Sequence, residues 1–211
     1  MFNFKRVLMI KSFIIKIIVI CLVTINVTAA EKVVLFGDSL MAGYGLNKED
    51  HLSTILESDL IKQGYDLKVI NASVSGDTTA GGLNRIDWTL SEQNIGILVL
   101  SLGANDMLRG IKPLETKKNL EEIIKTTLNK KINLILAGMI APTSHGSEYK
   151  KDFDEIYKSL ADKYNLIFIP FLLEGVALNP ELNLNDGMHP NPEGVKIISK
   201  TIEKKLISLL N

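Results

Sequence analysis

Five short, mostly apolar runs alternate along the chain with longer stretches of helical period, and this alternation limits the fold more than any other feature. The runs are Lys32 to Phe36, Leu67 to Ile70, Ile95 to Leu100, Ile132 to Leu136 and Leu166 to Ile169. A strand with one face in water alternates apolar and polar residues. These runs hardly do, so they read as strands buried on both faces, the condition of a parallel sheet covered by helices. Spacing and end signals mark the helices between them. Leu52 to Lys62 repeats apolar residues at Leu52, Ile55, Leu56 and Leu60 and stops at Gly64. Pro113 to Asn129 begins with proline, whose missing N–H costs nothing in a first turn, and carries Leu120, Ile123, Ile124 and Leu128 on one side. Thr78 to Leu90 has helical spacing weakened by Gly81 and Gly82, with Trp88 expected in the core. Tyr149 to Tyr164 and Asn191 to Leu210 complete the set. Strand and helix in alternation give an α/β architecture with right-handed crossovers. There is no repeat and no linker, and the longest loop, Gly175 to Gly187, is too short to separate domains, so residues 31–211 are expected to form one domain.

The 46% apolar and 23% charged residues of this 211-residue chain are those of a globular protein. Its 24 basic and 24 acidic residues balance, but Lys5, Arg6, Lys11 and Lys16 all lie in the first thirty residues, which hold no acid. Residues 31–211 therefore carry 20 basic and 24 acidic groups, a balance that argues against neutralising the phosphates of a nucleic acid. Cys21 is the single cysteine, which excludes an internal disulfide and a cysteine-rich metal site.

Residues 1–30 have the layout of an export signal: a basic start up to Ser12, an uncharged apolar run from Ile17 to Val27, and the small residues Thr28, Ala29 and Ala30 before Glu31. A spanning helix needs about 20 apolar residues, and Lys16 interrupts this stretch. The expectation is a leader removed near Ala30, with a retained anchor as the alternative. The mature chain would then be periplasmic or secreted, without a stable membrane span. Cys21 is not expected to carry lipid, because Ile20 is bulkier than the usual residue before such a cysteine.

In open α/β sheets ligands bind beyond the carboxyl ends of the strands, and four polar clusters fall there. They are Gly37-Asp38-Ser39-Leu40, Asn71-Ala72-Ser73-Val74-Ser75-Gly76-Asp77, Gly103-Ala104-Asn105-Asp106 and Asp186-Gly187-Met188-His189-Pro190. A serine hydroxyl becomes a useful nucleophile when an adjacent base takes its proton. Histidine suits that work near neutral pH, and a carboxylate must hold its tautomer and balance the imidazolium. Ser39, His189 and Asp186 can supply the three, and the spacing of Asp186 and His189 lets one turn present both on the same side. A developing oxyanion needs donors. The amides of Ser39 and Gly76 and the side-chain NH2 of Asn105 offer them, and glycine at 76 leaves no Cβ between backbone and substrate.

Taken in order, these clusters resemble the four blocks of the SGNH (GDSL) hydrolase family. The likeness covers nearly all of residues 31–211, and Phe36 to Gly45, Ser75 to Thr79, Met139 to Tyr149 and Phe168 to Glu174 are similar to its subgroup of exported arylesterases, thioesterases and lysophospholipases. The resemblance implies Ser39 as nucleophile, Gly76 and Asn105 as oxyanion donors, His189 as base and Asp186 as its partner. It also implies a three-layer flavodoxin-like α/β fold with a five-stranded parallel sheet in the order 2-1-3-4-5; the mature chain is expected to be a monomer. The implied activity is hydrolysis of small or lipid-like acyl esters and thioesters with no metal or other cofactor. Two positions depart from the pattern. Ala104 stands where a second glycine is common, a mild change, and Met107 stands where a glycine is common, where it could narrow or line an acyl groove. Met107, Leu108, Ile140, Pro142 and Met188 are the residues expected to line that groove. Met41 and Met139 are further candidates, since methionine adapts to varied apolar shapes, although core packing explains Met139 equally well.

Other candidates have structural readings. Asp38 and Asp106 are expected to hold local turns, His51 to be solvated near a helix start, and His145 to be a surface histidine or to border the substrate. Two other functions stay open: a carbohydrate O-acetyl esterase, which would want a small acyl pocket and polar loops, and a non-catalytic binding module on the same fold, against which the complete Ser39/Asp186/His189 set argues. The sequence holds no P-loop, no dinucleotide-binding glycine turn, no His-Glu-x-x-His helix and no Gly-x-Ser-x-Gly elbow at Ser39.

Overall fold

The computed structural model describes residues 31–210; the expected export leader, residues 1–30, lies outside the described residues. Five strands, β1 (Glu31–Gly37), β2 (Leu67–Asn71), β3 (Ile95–Ser101), β4 (Asn133–Ala137) and β5 (Ile167–Ile169), pair in parallel in the order β2-β1-β3-β4-β5. The helices are α1 (Ser39–Ala42), α2 (Leu52–Lys62), α3 (Thr79–Thr89), α4 (Ala104–Leu108), α5 (Pro113–Asn129), α6 (Ser147–Tyr164) and α7 (Pro192–Leu210). One layer pairs α2 with α7, and the other sets α3, α5 and α6 side by side. Right-handed crossovers dictate this division. The chain leaves β1 in one direction to reach β2, then turns back over β1 to β3 and keeps going to β4 and β5, so the helices change face where the direction changes.

Burial follows from having both faces covered. In β1, Val33, Leu35 and Phe36 are completely buried, as are Leu98, Val99 and Leu100 in β3. Each such side chain contributes roughly 1.5–3 kcal/mol by leaving water. Parallel register brings the strand ends level: Gly37 lies opposite Ser101, and Leu35 opposite Asn71. The loops after β1, β2 and β3 therefore emerge along one edge. Between β1 and β3 the connections depart in opposite directions, which opens the crevice where such sheets take their ligands.

The long helices lie close to where spacing put them, and α5 keeps both of its expected ends. Trp88 departs most clearly. It is 81% exposed, whereas α3 buries Thr79, Gly82, Ile86 and Thr89. Residue 88 falls two past Ile86, about 200° around the helix, and so faces solvent. His51 is also not simply solvated: it precedes α2 as its cap residue, half-buried beside Gly43. No helix among the described residues is long and apolar enough to cross a membrane.

Candidate active site

Ser39 owes its position to the turn that ends β1. Asp38 caps the short helix α1, its Oδ1 accepting from Leu40 N at 3.1 Å, and this makes Ser39 the first helical residue at the strand end. The Asp38 side chain is buried, and that burial pushes its carboxyl from an ordinary 3.8 up to about 6, against the opposing pull of the Leu40 amide, His189 and the Asn105 side chain. A carboxyl raised in the folded state adds stability below its unfolded pKa and loses it as pH rises through the folded one. Asp38→Asn keeps the cap and removes the charge. It is therefore expected to stabilise the protein by about 2–3 kcal/mol at pH 7 and by nothing below about pH 4. Urea midpoints of both proteins at the two pH values check this, and a difference independent of pH would contradict it.

A tied-down loop delivers the histidine. Asn183 and Pro190 form an antiparallel bridge, and Leu184 N donates to His189 O at 2.7 Å. Asn183 is itself held, its side chain donating to Val176 O at 2.8 Å and Asn179 O at 2.7 Å. Within the turn, Asp186 Oδ1 accepts from the backbone N–H groups of Met188 (2.9 Å) and His189 (3.0 Å). Asp186 Oδ2 lies 2.7 Å from His189 Nδ1, and His189 Nε2 lies 2.9 Å from Ser39 Oγ. Carboxylate, imidazole and hydroxyl thus stand in one hydrogen-bonded line. The two backbone N–H groups and then the His189 ring hold the Asp186 carboxyl down at about 2, so it is ionised throughout the range in which histidine works as a base.

Gly76 and Asn105 reach the same place from β2 and β3. Gly76 has φ +79°, a left-handed conformation that favours glycine. A Cβ there would meet no protein atom within 4 Å, so the backbone at this position borders open space. Asn105 rides on α4, whose start requires glycine for a different reason: at Gly103, with φ +120°, a Cβ would lie 2.2 Å from the Tyr157 hydroxyl. Next in sequence, Asp106 turns inward, accepting from the N–H and hydroxyl of Thr79 and, at 3.3 Å, from Thr116 Oγ1. It thereby ties α4 to α3 and α5, a structural role of longer range than the local turn expected of it.

Ser39, Gly76, Asn105 and His189 line one groove of about 780 Å³. Met107, Leu108, Ile140, Pro142 and Met188 all line it, and so do Tyr44, Met139, Leu173 and Leu178. Met41 instead lies fully buried in the core. His145 stands behind the wall: its Nε2 donates to Met107 O at 3.0 Å and its ring packs 5.3 Å from that of Tyr149. Tyr149 in turn donates to Ile111 O at 2.9 Å, so the segment after β4 is sewn to the segment after α4. Three neighbours carried no sequence signal. The Tyr44 ring lies 4.4 Å from that of His189, and Arg85 and Arg109 bind backbone carbonyls around Gly76. An aromatic or an arginine in a loop does not disclose which ring or carbonyl the fold will bring to it.

Comparison with known proteins places the chain in a family. The model of the GDSL-like lipase/acylhydrolase family matches residues 35–197. The chain is 36% identical to an arylesterase of Vibrio mimicus, over 86% of this chain and 91% of that one. It is 32% identical to thioesterase 1/protease 1/lysophospholipase L1 of Escherichia coli, over 90% of each. Among solved structures, TesA superposes with a TM-score of 0.81 at 32% identity, covering 85% of this chain and 99% of that one. AlinE4, an SGNH-hydrolase family esterase, gives 0.72 at 40% identity, covering 86% and 97%. The chain belongs to the GDSL-like lipase/acylhydrolase family.

Proposed function

We propose that this chain hydrolyses carboxylic esters and thioesters of apolar acyl groups, with Ser39 as nucleophile, His189 as general base and acid, and Asp186 as the partner of the imidazole. The reading rests above all on the line from Asp186 through His189 to Ser39, at 2.7 and 2.9 Å, opening onto a groove with mostly apolar walls. Ser39 Oγ attacks the acyl carbonyl while its proton passes to His189 Nε2; the Nδ1–H, donating to Asp186, fixes the tautomer that makes this possible. The Ser39 and Gly76 amides and the Asn105 side chain receive the oxyanion. His189 then protonates the leaving alcohol or thiol. In the second half it takes a proton from water, which attacks the acyl-enzyme and frees the acid and Ser39. The enzyme would act as a monomer outside the cytoplasm, after loss of the leader near Ala30.

The groove decides between acyl groups. A carbohydrate O-acetyl esterase needs room for one methyl group beside polar loops, whereas Met107, Leu108, Ile140, Met139 and Leu173 offer an extended apolar wall. We expect kcat/KM to rise from acetyl to longer acyl chains across a series of aryl esters, with hydrolysis of a long-chain acyl thioester and of lysophosphatidylcholine as well. Burial of each further CH2 contributes about 0.8 kcal/mol where it meets apolar protein. Faster turnover of acetylated sugars than of any long-chain ester would overturn this assignment.

A further inference from the structure

The segment bearing Gly76 has little packing to hold it. Val74, Ser75 and Gly76 are exposed, and glycine adds backbone freedom at a residue whose amide must stay put. Polar ties replace the packing. At the base, Ala72 N donates to Leu35 O at 2.9 Å and Val74 N to Gly37 O at 3.0 Å. Arg85 reaches up from α3 to the same base. Its Nη1 donates to Ala72 O, its Nη2 to Gly37 O at 3.1 Å and its Nε to Asp77 Oδ2 at 2.7 Å, with the guanidinium 3.8 Å from the centre of the Phe36 ring. One side chain thereby fixes both ends of the Ala72–Asp77 segment and the stem of the Ser39 turn. At the tip a second arginine acts alone: Arg109 Nη2 donates to Gly76 O at 2.9 Å. Arg109 caps α4, and its own N–H donates to Asn105 O at 3.1 Å. A short covalent and hydrogen-bonded path therefore runs from Gly76 to Asn105.

Resting on the function proposed above, we infer that Arg109, with Arg85 beneath it, is a positioning residue that holds the Gly76 amide and the Asn105 side chain as one oxyanion-binding unit. Donors stabilise an oxyanion best when they are already in place, because no reorganisation is then needed at the moment of reaction. The planar guanidinium suits this task, since it is always charged and carries several donors in a fixed fork. Arg109 touches neither the reacting atoms nor the acyl groove. Its effect should therefore appear in turnover and not in substrate affinity.

The test is a double-mutant cycle with a short aryl ester. Asn105→Ala deletes a donor and is expected to lower kcat about 10²–10³-fold. Arg109→Met loosens a donor without deleting it, so we expect about a 10-fold fall in kcat, less than the roughly 10²-fold that a 1 Å misplacement can bring. KM should stay within about 2-fold and Tm should not move, since the side chain is exposed. Arg109→Lys should recover part of the loss. In the Asn105→Ala background, Arg109→Met should cost clearly less than in the wild type, because the unit is already broken. Additive losses, an unchanged kcat, or a change confined to KM or Tm would each overturn the inference. Wild-type activity separates the two levels: a wild-type chain that hydrolyses no ester refutes the proposed function, whereas an active wild type with an active Arg109→Met variant refutes only the positioning role.

Discussion

Ser39→Ala or His189→Ala lowers kcat by about 10⁴-fold or more, and the double variant is scarcely worse than either single one. Without Oγ there is no atom to carry the acyl group. Without the imidazole the hydroxyl remains un-ionised in the face of the carbonyl and the leaving group gets no proton. In the proposed mechanism the two share a single proton transfer across the 2.9 Å between them, so removing one leaves nothing for the other to do. The rate that survives comes from the oxyanion donors and the groove, which hold the substrate whether or not the nucleophile is present. Both side chains sit at the open crevice, not in the core, so the variants should fold with native stability. Steady-state turnover of an aryl ester, with Tm recorded alongside, checks this. A loss below 10-fold in either variant would contradict it.

Asp186→Asn is expected to lower kcat by about 10⁴-fold with little change in KM, the size seen when a triad carboxylate is made an amide in a serine protease. The local hydrogen bonds show why an isosteric change should be so damaging. Asp186 Oδ1 accepts from two backbone N–H groups, so an asparagine must set its oxygen there. Its NH2 then faces His189 Nδ1, at the position where Oδ2 now lies at 2.7 Å. An imidazole that receives a hydrogen bond at Nδ1 keeps its proton on Nε2, and Nε2 can no longer accept the proton of Ser39. The loss is one of tautomer as well as charge. Measuring kcat and KM for the purified variant settles the matter; retention of more than about a tenth of the wild-type kcat would mean that Asp186 does not orient the histidine.

The strands and the long helices were legible because continuous apolar runs and 3.6-residue spacing both survive in a chain buried on two faces. The sheet order was not contained in that spacing; it came from the likeness of four short blocks to a family. α1 and α4 left no trace, since four or five residues cannot display a helical period. They were nevertheless what mattered at the site, presenting Ser39 and Asn105. Trp88 misled because its size suggests the core, while only its phase relative to Ile86 shows that it faces water. The residues that meet at the candidate site could be picked out because serine, histidine and aspartate at successive strand ends have few other reasons to occur together. Arg85, Arg109 and Tyr44 could not, since each works on a carbonyl or ring that only the folded chain supplies. The raised carboxyl of Asp38 was hidden for the same reason: its sequence neighbours suggest a turn, and burial decides its charge.

The most direct test of the central claim is mass-spectrometric mapping after reaction with a serine-reactive alkyl phosphonate ester. We predict one adduct per chain, on Ser39, with parallel loss of esterase activity; Asp186→Asn should label far more slowly and Ser39→Ala not at all. An active enzyme that takes up no phosphonate at Ser39, or takes it up at another serine as activity disappears, would contradict the account.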